Sequence, residues 1–158
     1  MSTEADRYIA LQVIMMPRDA NPSLTPVPGH PQNALYMTIF GGILLSYIDQ
    51  AGAVGGRREV VLAGGPLPHL VTVAVNRVEF KRPVLVGDVV RFTTRLVRLG
   101  RTSITMHIRV DAERGGDVLH VTDAEVVYVN IDPNAPERRP VPLLPQGGSA
   151  GRPKTEPA

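Results

Sequence analysis

From residue 70 to residue 131 the chain alternates apolar and polar positions with a period of two. The successive runs are LVTVAVNRVEF, DVVRFTTRLVRLG, TSITMHIRVDA and VLHVTDAEVVYVNI, separated by KRPVLVG, Gly100-Arg101 and ERGGD. Successive strand side chains point to opposite faces, so the runs predict four strands joined by turns rich in Gly and Pro. Within TSITMHIRV, Ile104, Met106, Ile108 and Val110 share one face while Thr105, His107 and Arg109 share the other, as in a sheet covered on one side only. An earlier run, YIALQVIMM, predicts a first strand that stops at Pro17.

Between these strands the period changes to that of a helix, beginning near Phe40. Leu44, Ile48, Ala51 and Gly55 form a stripe, widened by Ile43, Leu45, Tyr47 and Val54, which is the face expected against the sheet. Gly55 and Gly56, followed by Arg57 and Arg58, are expected to end the helix. The opposite side carries Gly42, Ser46, Asp49 and Ala53. Two readings of that side stand: a solvent face with an exposed acid, or a subunit contact or ligand cleft. A solvent face ordinarily carries Lys, Glu and Arg, so the small composition favours the second. Gly41 and Gly42 at the first turn leave backbone N–H donors open to a close approach, where the helix dipole favours negative charge. A carboxylate and an anion-binding helix start are parts that acyl transfer uses.

The order strand, long loop, helix, four strands has no strand–helix alternation, so the expected class is α+β with an antiparallel sheet. The 158 residues fit one domain. Its expected extent is 1–131, with an inserted proline-dense loop over 17–32, PRDANPSLTPVPGHPQ. Residues 132–158, rich in Pro and Gly, are expected to be a disordered tail.

The chain has no cysteine, which removes disulfides, thiolate metal sites and a thiol nucleophile together. With a formal charge of +2, scattered arginines and 4% aromatic residues, neither a basic stripe nor a stacking platform for nucleic acid is visible. The polar start MSTEADRY lacks the pattern of a secretory signal, and no apolar run reaches the ~18 residues of a membrane span. A cytoplasmic protein is expected, with no membrane or nucleic-acid partner and no metal or cofactor. His107 and His120 fall on polar strand positions, His30 lies in the loop and His69 precedes the strands, so none belongs to the helix.

Together, IFGGILLSYIDQAG, VTVAVNRVEFKRPVLVGDVV, GRTSITMHIRV and VTDAEVVYVNID, in this order, resemble the hotdog-fold acyl-CoA thioesterases of the YciA-like and brain-type acyl-CoA hydrolase group, over residues 9–132. The resemblance implies a long helix wrapped by an antiparallel sheet, dimers joined sheet edge to sheet edge, and trimers of dimers as hexamers. It further implies acyl-CoA hydrolysis at sites between the two subunits of a dimer. By motif, Asp49 matches the family's general base or nucleophile. Gly41 and Gly42 match the helix-start glycines whose N–H groups polarise the thioester carbonyl. Arg101, Thr102 and Ser103, with Lys81 and Arg82, match segments that contact coenzyme A. Where family members read Asn-Gly-Asp before the helix, this chain has Tyr36, Met37 and Thr38, with Asn33 out of register. Thr38 is thus the residue counted with the catalytic set at that place. A noncatalytic acyl-CoA binding or sensing protein is the alternative on the same fold. A hydratase would pair a histidine with an acid, and no histidine lies in or just before the helix.

Overall fold

The computed structural model describes residues 7–22 and 37–145. Its regular elements are β1 (Tyr8–Ile14), α1 (Gly41–Leu62), β2 (Leu70–Asn76), β3 (Val89–Leu99), β4 (Ser103–Arg114) and β5 (Asp117–Asn130), with a single 3-10 turn at Pro17–Asp19. The five strands form one antiparallel sheet in the order β1-β3-β4-β5-β2. α1 packs across one face of it. This is the α+β hotdog architecture that the resemblance implies.

The alternation in the sequence reports burial directly. In β4, Ile104, Met106, Ile108 and Val110 are fully buried beneath α1, while the residues between them remain partly exposed. Phe92, Val126 and Tyr128 continue the same face onto β3 and β5. β2 ends at Asn76 instead of continuing to Phe80, because the next residues turn away to bond the far end of β5. There the Lys81 N–H donates to the Val121 carbonyl and the Thr122 hydroxyl to that of Glu79.

The helix departs from expectation at its end. Gly55, Gly56, Arg57 and Arg58 do not terminate it; α1 continues to Leu62. The break comes at Gly64, whose φ of +87° is a conformation that glycine adopts without a Cβ penalty. Gly55 and Gly56 are buried against the sheet instead. A Cβ on Gly55 would lie 2.9 Å from the Thr94 Cβ and 3.2 Å from the Met106 Cε. Arg58, expected at a helix end, stacks over the Tyr8 ring at 4.6 Å.

The buried stripe also differs in phase. It comprises Leu44, Ile48, Ala51, Gly52, Gly55, Gly56 and Val60, whereas Leu45 and Val54 are exposed. The flank occupied by Gly52 and Gly56 wins because the sheet comes too close there for a larger side chain.

The expected tail is partly folded. Residues 132–145 strap the Arg101 end of the sheet: the Leu143 N–H donates to the Arg101 carbonyl, the Val141 N–H to the Asn130 carbonyl, and Leu143 is 1% exposed. Asn130 completes the strap by donating to the carbonyls of Val141 and Pro142. Composition averaged over the segment conceals these two anchors, a leucine and a satisfied amide. Residues 146–158, and 23–32 of the expected insertion, lie outside the described residues. Among those described, no helix is long and apolar enough to cross a membrane.

Gly→Ala within a helix ordinarily stabilises by roughly 0.5–1 kcal/mol. Gly55→Ala should instead destabilise by about 1–3 kcal/mol through overpacking against Thr94. Denaturant unfolding at matched protein concentration gives the sign, and a stabilised variant would refute the close-approach reading.

Candidate active site

The start of α1 is suspended from two flanking segments. The Ile39 N–H donates to the Val84 carbonyl, the Phe40 N–H to the Asp19 carbonyl, and the Val86 N–H to the Met37 carbonyl. Thr38 pairs with Leu85 and accepts a 2.9 Å hydrogen bond from the Asn21 amide on its hydroxyl. The short connection at 83–88 is held by Asp88, 2% exposed, which accepts from both Nε and Nη2 of Arg114 at 2.9 and 2.7 Å and from the Leu85 N–H. These bonds fix where α1 begins. The N-cap residue, Phe40, offers no side-chain acceptor, so the first-turn amides of Gly41 and Gly42 keep their donor capacity for a ligand. A Cβ at Gly41 would meet only the Phe80 ring, at 3.4 Å.

Asp49 lies in the middle of α1, one residue step of about 100° from the buried Ile48. It is therefore on the flank of the helix and not opposite the sheet. That flank overlooks β2, the edge strand. The Thr72 hydroxyl donates to Asp49 Oδ1 at 2.6 Å, and among the described residues no cation forms an ion pair with Asp49. Directly after Thr72 the β2–β5 register shifts by a bulge, a feature that re-aims edge residues. Thr72 was absent from the sequence-based set; nothing in the period of LVTVAVN separates it from an ordinary strand threonine. In the single chain the Asp49 carboxylate is only partly buried.

Beneath Asp49, the Tyr128 phenol donates to the Asp49 main-chain carbonyl at 2.6 Å. Burial, then the charge of Asp49 and a hydrogen bond with it, push the phenol well above its ordinary range, opposed by the Ala53 N–H. Tyr128 is therefore held as a neutral hydrogen-bond donor.

The sequence-predicted residues thus fall into three groups along the molecule. Thr38, Gly41 and Gly42 sit at the α1 start, on the side of Lys81 and Arg82, which follow Phe80. Asp49 is central. Arg101, Thr102 and Ser103 form the β3–β4 turn at the far end, where the Thr102 carbonyl accepts from the Asn130 N–H and the Ser103 carbonyl from the Gly100 N–H. Lys81 is level with Val121 and Arg101 is next to the start of β4; that spacing along the strands is about 25 Å. One chain does not bring these two basic groups together. The Lys81 ammonium is 3.8 Å from Asp123 and 3.4 Å from His120 on the outer face of the sheet.

That outer face also carries the histidines. His107 and His120 both contact Asp123, at 3.1 and 2.7 Å, and His120 reaches Asp111 as well. Burial, then Arg95, holds His107 below the usual imidazole range, with Asp123 and Glu125 opposing. Neither histidine faces Asp49, since His107 on β4 and His120 on β5 both lie with Asp123 on the face of the sheet away from the helix. Among the described residues no group of three or more His, Asp or Glu is arranged to hold a metal.

The thioesterase superfamily model matches residues 36–119. An acyl-CoA thioester hydrolase YciA of Salmonella typhimurium is 35% identical over 88% of this chain and 92% of its own. The Escherichia coli YciA is 33% identical over 82% of this chain and 88% of its own. Among solved structures, a hexameric hotdog fold thioesterase of Campylobacter jejuni superposes with a TM-score of 0.65 at 32% identity, covering 84% of this chain and 89% of that one. A hexameric thioesterase from Yersinia pestis gives 0.65 at 32% identity, over 85% and 95%. With the helix start, the mid-helix acid and the sheet in the places described, the chain belongs to the thioesterase superfamily.

Proposed function

We propose that the protein hydrolyses acyl-CoA thioesters to free acid and coenzyme A, with Asp49 as the general base at a site shared by two copies of the chain. The observation that carries this reading is the Asp49 carboxylate held by Thr72 on a flank of α1 beside the free edge of β2. The names of the Salmonella and Escherichia relatives, acyl-CoA thioester hydrolases, supply the substrate class.

Helix geometry supports the sharing. Gly41 and Gly42 precede Asp49 by eight and seven residues, which is about 10–12 Å along an α-helix. A thioester carbonyl needs its oxyanion donors and its attacking group each within about 3 Å. One helix therefore does not serve one carbonyl at both points. A second copy set against the β2 edge supplies the missing half, and a two-fold arrangement creates two equivalent sites. β2 offers that edge: Val73 and Val75 are 55% and 45% exposed, and Leu45 on the neighbouring helix flank is 40% exposed. A free strand edge with apolar side chains is a template for another strand. Hexamers built from such dimers agree with the hexameric Campylobacter and Yersinia thioesterases.

In the proposed step, Thr72 occupies one oxygen of Asp49 and the other accepts a proton from water. The water oxygen bonds to the acyl carbon while the oxyanion is received by the Gly41 and Gly42 amides of the facing copy. The carbon–sulfur bond then breaks, and the proton held by Asp49 passes to the coenzyme A thiolate. Enclosure between copies would exclude bulk water from a carboxylate that a single chain leaves partly exposed, and so strengthen these contacts.

Asp49→Ala should lower kcat for thiol release by about a hundredfold or more while the variant stays folded; full activity in a folded variant would end the assignment. Thr72→Val, nearly isosteric, is expected to reduce kcat by roughly tenfold through loss of carboxylate orientation, measured by the same assay. Attack by Asp49 itself, the other reading of this acid, forms a mixed anhydride with the acyl group, and opening of that anhydride by water at the Asp49 carbonyl would leave label in the Asp49 carboxylate after single turnover in oxygen-18 water, whereas general-base action leaves label only in the product acid. Val75→Lys places a charge on the β2 edge and should shift sedimentation toward monomer with parallel loss of turnover. An active monomer would contradict the shared site.

A further inference from the structure

Tyr128 and Thr72 are partners across the β2–β5 ladder. Both reach the same residue of α1, but at different atoms. Thr72 donates to the Asp49 carboxylate and Tyr128 to the Asp49 main-chain carbonyl, each at 2.6 Å. We propose that Tyr128 is a positioning residue for Asp49: this cross-strand pair secures the acid at two points, main chain through the phenol and side chain through the threonine. The proposal rests on the reading of Asp49 as the catalytic base.

Three features support a positional role over simple core filling. The Asp49 carbonyl already has a helical partner four residues on, so the phenol bond is additional and uses the second lone pair of that oxygen. A phenylalanine would fill the same space without a buried hydroxyl, whose desolvation is costly unless it is bonded. Tyr128 is also 1% exposed, on a strand flanked by β4 and β2, so water does not compete for its proton and its own position is rigid.

The turn of α1 that carries Asp49 is shaped to receive this phenol. Gly52 faces the ring, and a Cβ there would lie 3.0 Å from the Tyr128 Cζ and 3.1 Å from the Cε2, overlapping the hydroxyl. The hydroxyl therefore contacts the 49–53 turn from below, at the Asp49 carbonyl and against Gly52. Its height above the sheet decides how far Asp49 stands from Thr72, and hence where the free carboxylate oxygen points. Misplacement of a reacting group by about 1 Å costs up to a hundredfold in rate.

The test is a double-mutant cycle of Tyr128→Phe and Asp49→Ala, with kcat and KM from thiol release on one acyl-CoA substrate and folding checked by circular dichroism. Tyr128→Phe should lower kcat about tenfold with KM within about twofold, and should have no further effect in the Asp49→Ala background. Unchanged kcat in folded Tyr128→Phe, or the same proportional loss in both backgrounds, would overturn the proposal and assign the phenol to stability alone. Should Tyr128→Phe fail to fold, Gly52→Ala, which displaces the same contact from the helix side, is read by the same two criteria. If Asp49→Ala itself retains full activity, it is the assignment of Asp49 that fails; loss in Asp49→Ala alone, with Tyr128→Phe like wild type, removes only the Tyr128 inference.

Discussion

Gly52 and Gly55 carry no side chain because Tyr128 and Thr94 occupy the space that a Cβ would need. That close approach of α1 to the sheet is the constraint on which the remainder depends. A buried helix turn made of glycine forfeits helix propensity, roughly 1 kcal/mol for each residue relative to Ala. The loss is offset by contact with a continuous apolar face from Phe92 through Met106 to Val126. It also lets a phenol reach the helix backbone and bond it, which no ordinary side-chain separation would allow.

From that seat the placement of the chemistry follows. A helix fixed at Gly52 and Gly55 puts Asp49 on the flank nearest the sheet edge, within reach of Thr72. At the other end, bonds from Asp19 and Val84 set the first turn so that Gly41 and Gly42 present their amides. The separation between the two is dictated by the helix rise, and under the proposed function it calls for a second copy to complete the site. Exposed apolar residues at β2 and on the α1 flank mark where the complement would sit. The apolar surface and the incomplete chemistry coincide, which a surface serving solubility alone would not require.

The strap formed by residues 132–145 shows the limit of arguing from composition. Proline removes hydrogen-bond donors, but the carbonyls of Val141 and Pro142 remain acceptors, and Asn130 satisfies both. The buried Leu143, with Leu144 packed beside it against the core, then seats the segment at the β3–β4 turn.

Period-two alternation from residue 70 onward was sufficient by itself to establish the strands and their buried face, since burial on one side of a sheet has no other sequence signature. The helical period of residues 40–54 likewise identified the helix and singled out Asp49, because a lone acid among small residues is uncommon on a solvent face. The motifs, in their order, indicated the family. Which glycine ends the helix was decided only in three dimensions: Gly64 takes a left-handed φ, whereas Gly55 answers to Thr94 and Met106, some forty to fifty residues away. Thr72 and Tyr128 join Asp49 only when β2 and β5 align and the helix is laid upon them, so no local pattern announces them. The distance between Asp49 and the helix-start amides, on which the proposal of a shared site rests, is implicit in the residue count but acquires meaning only once residues 41–62 are known to form one unbroken helix.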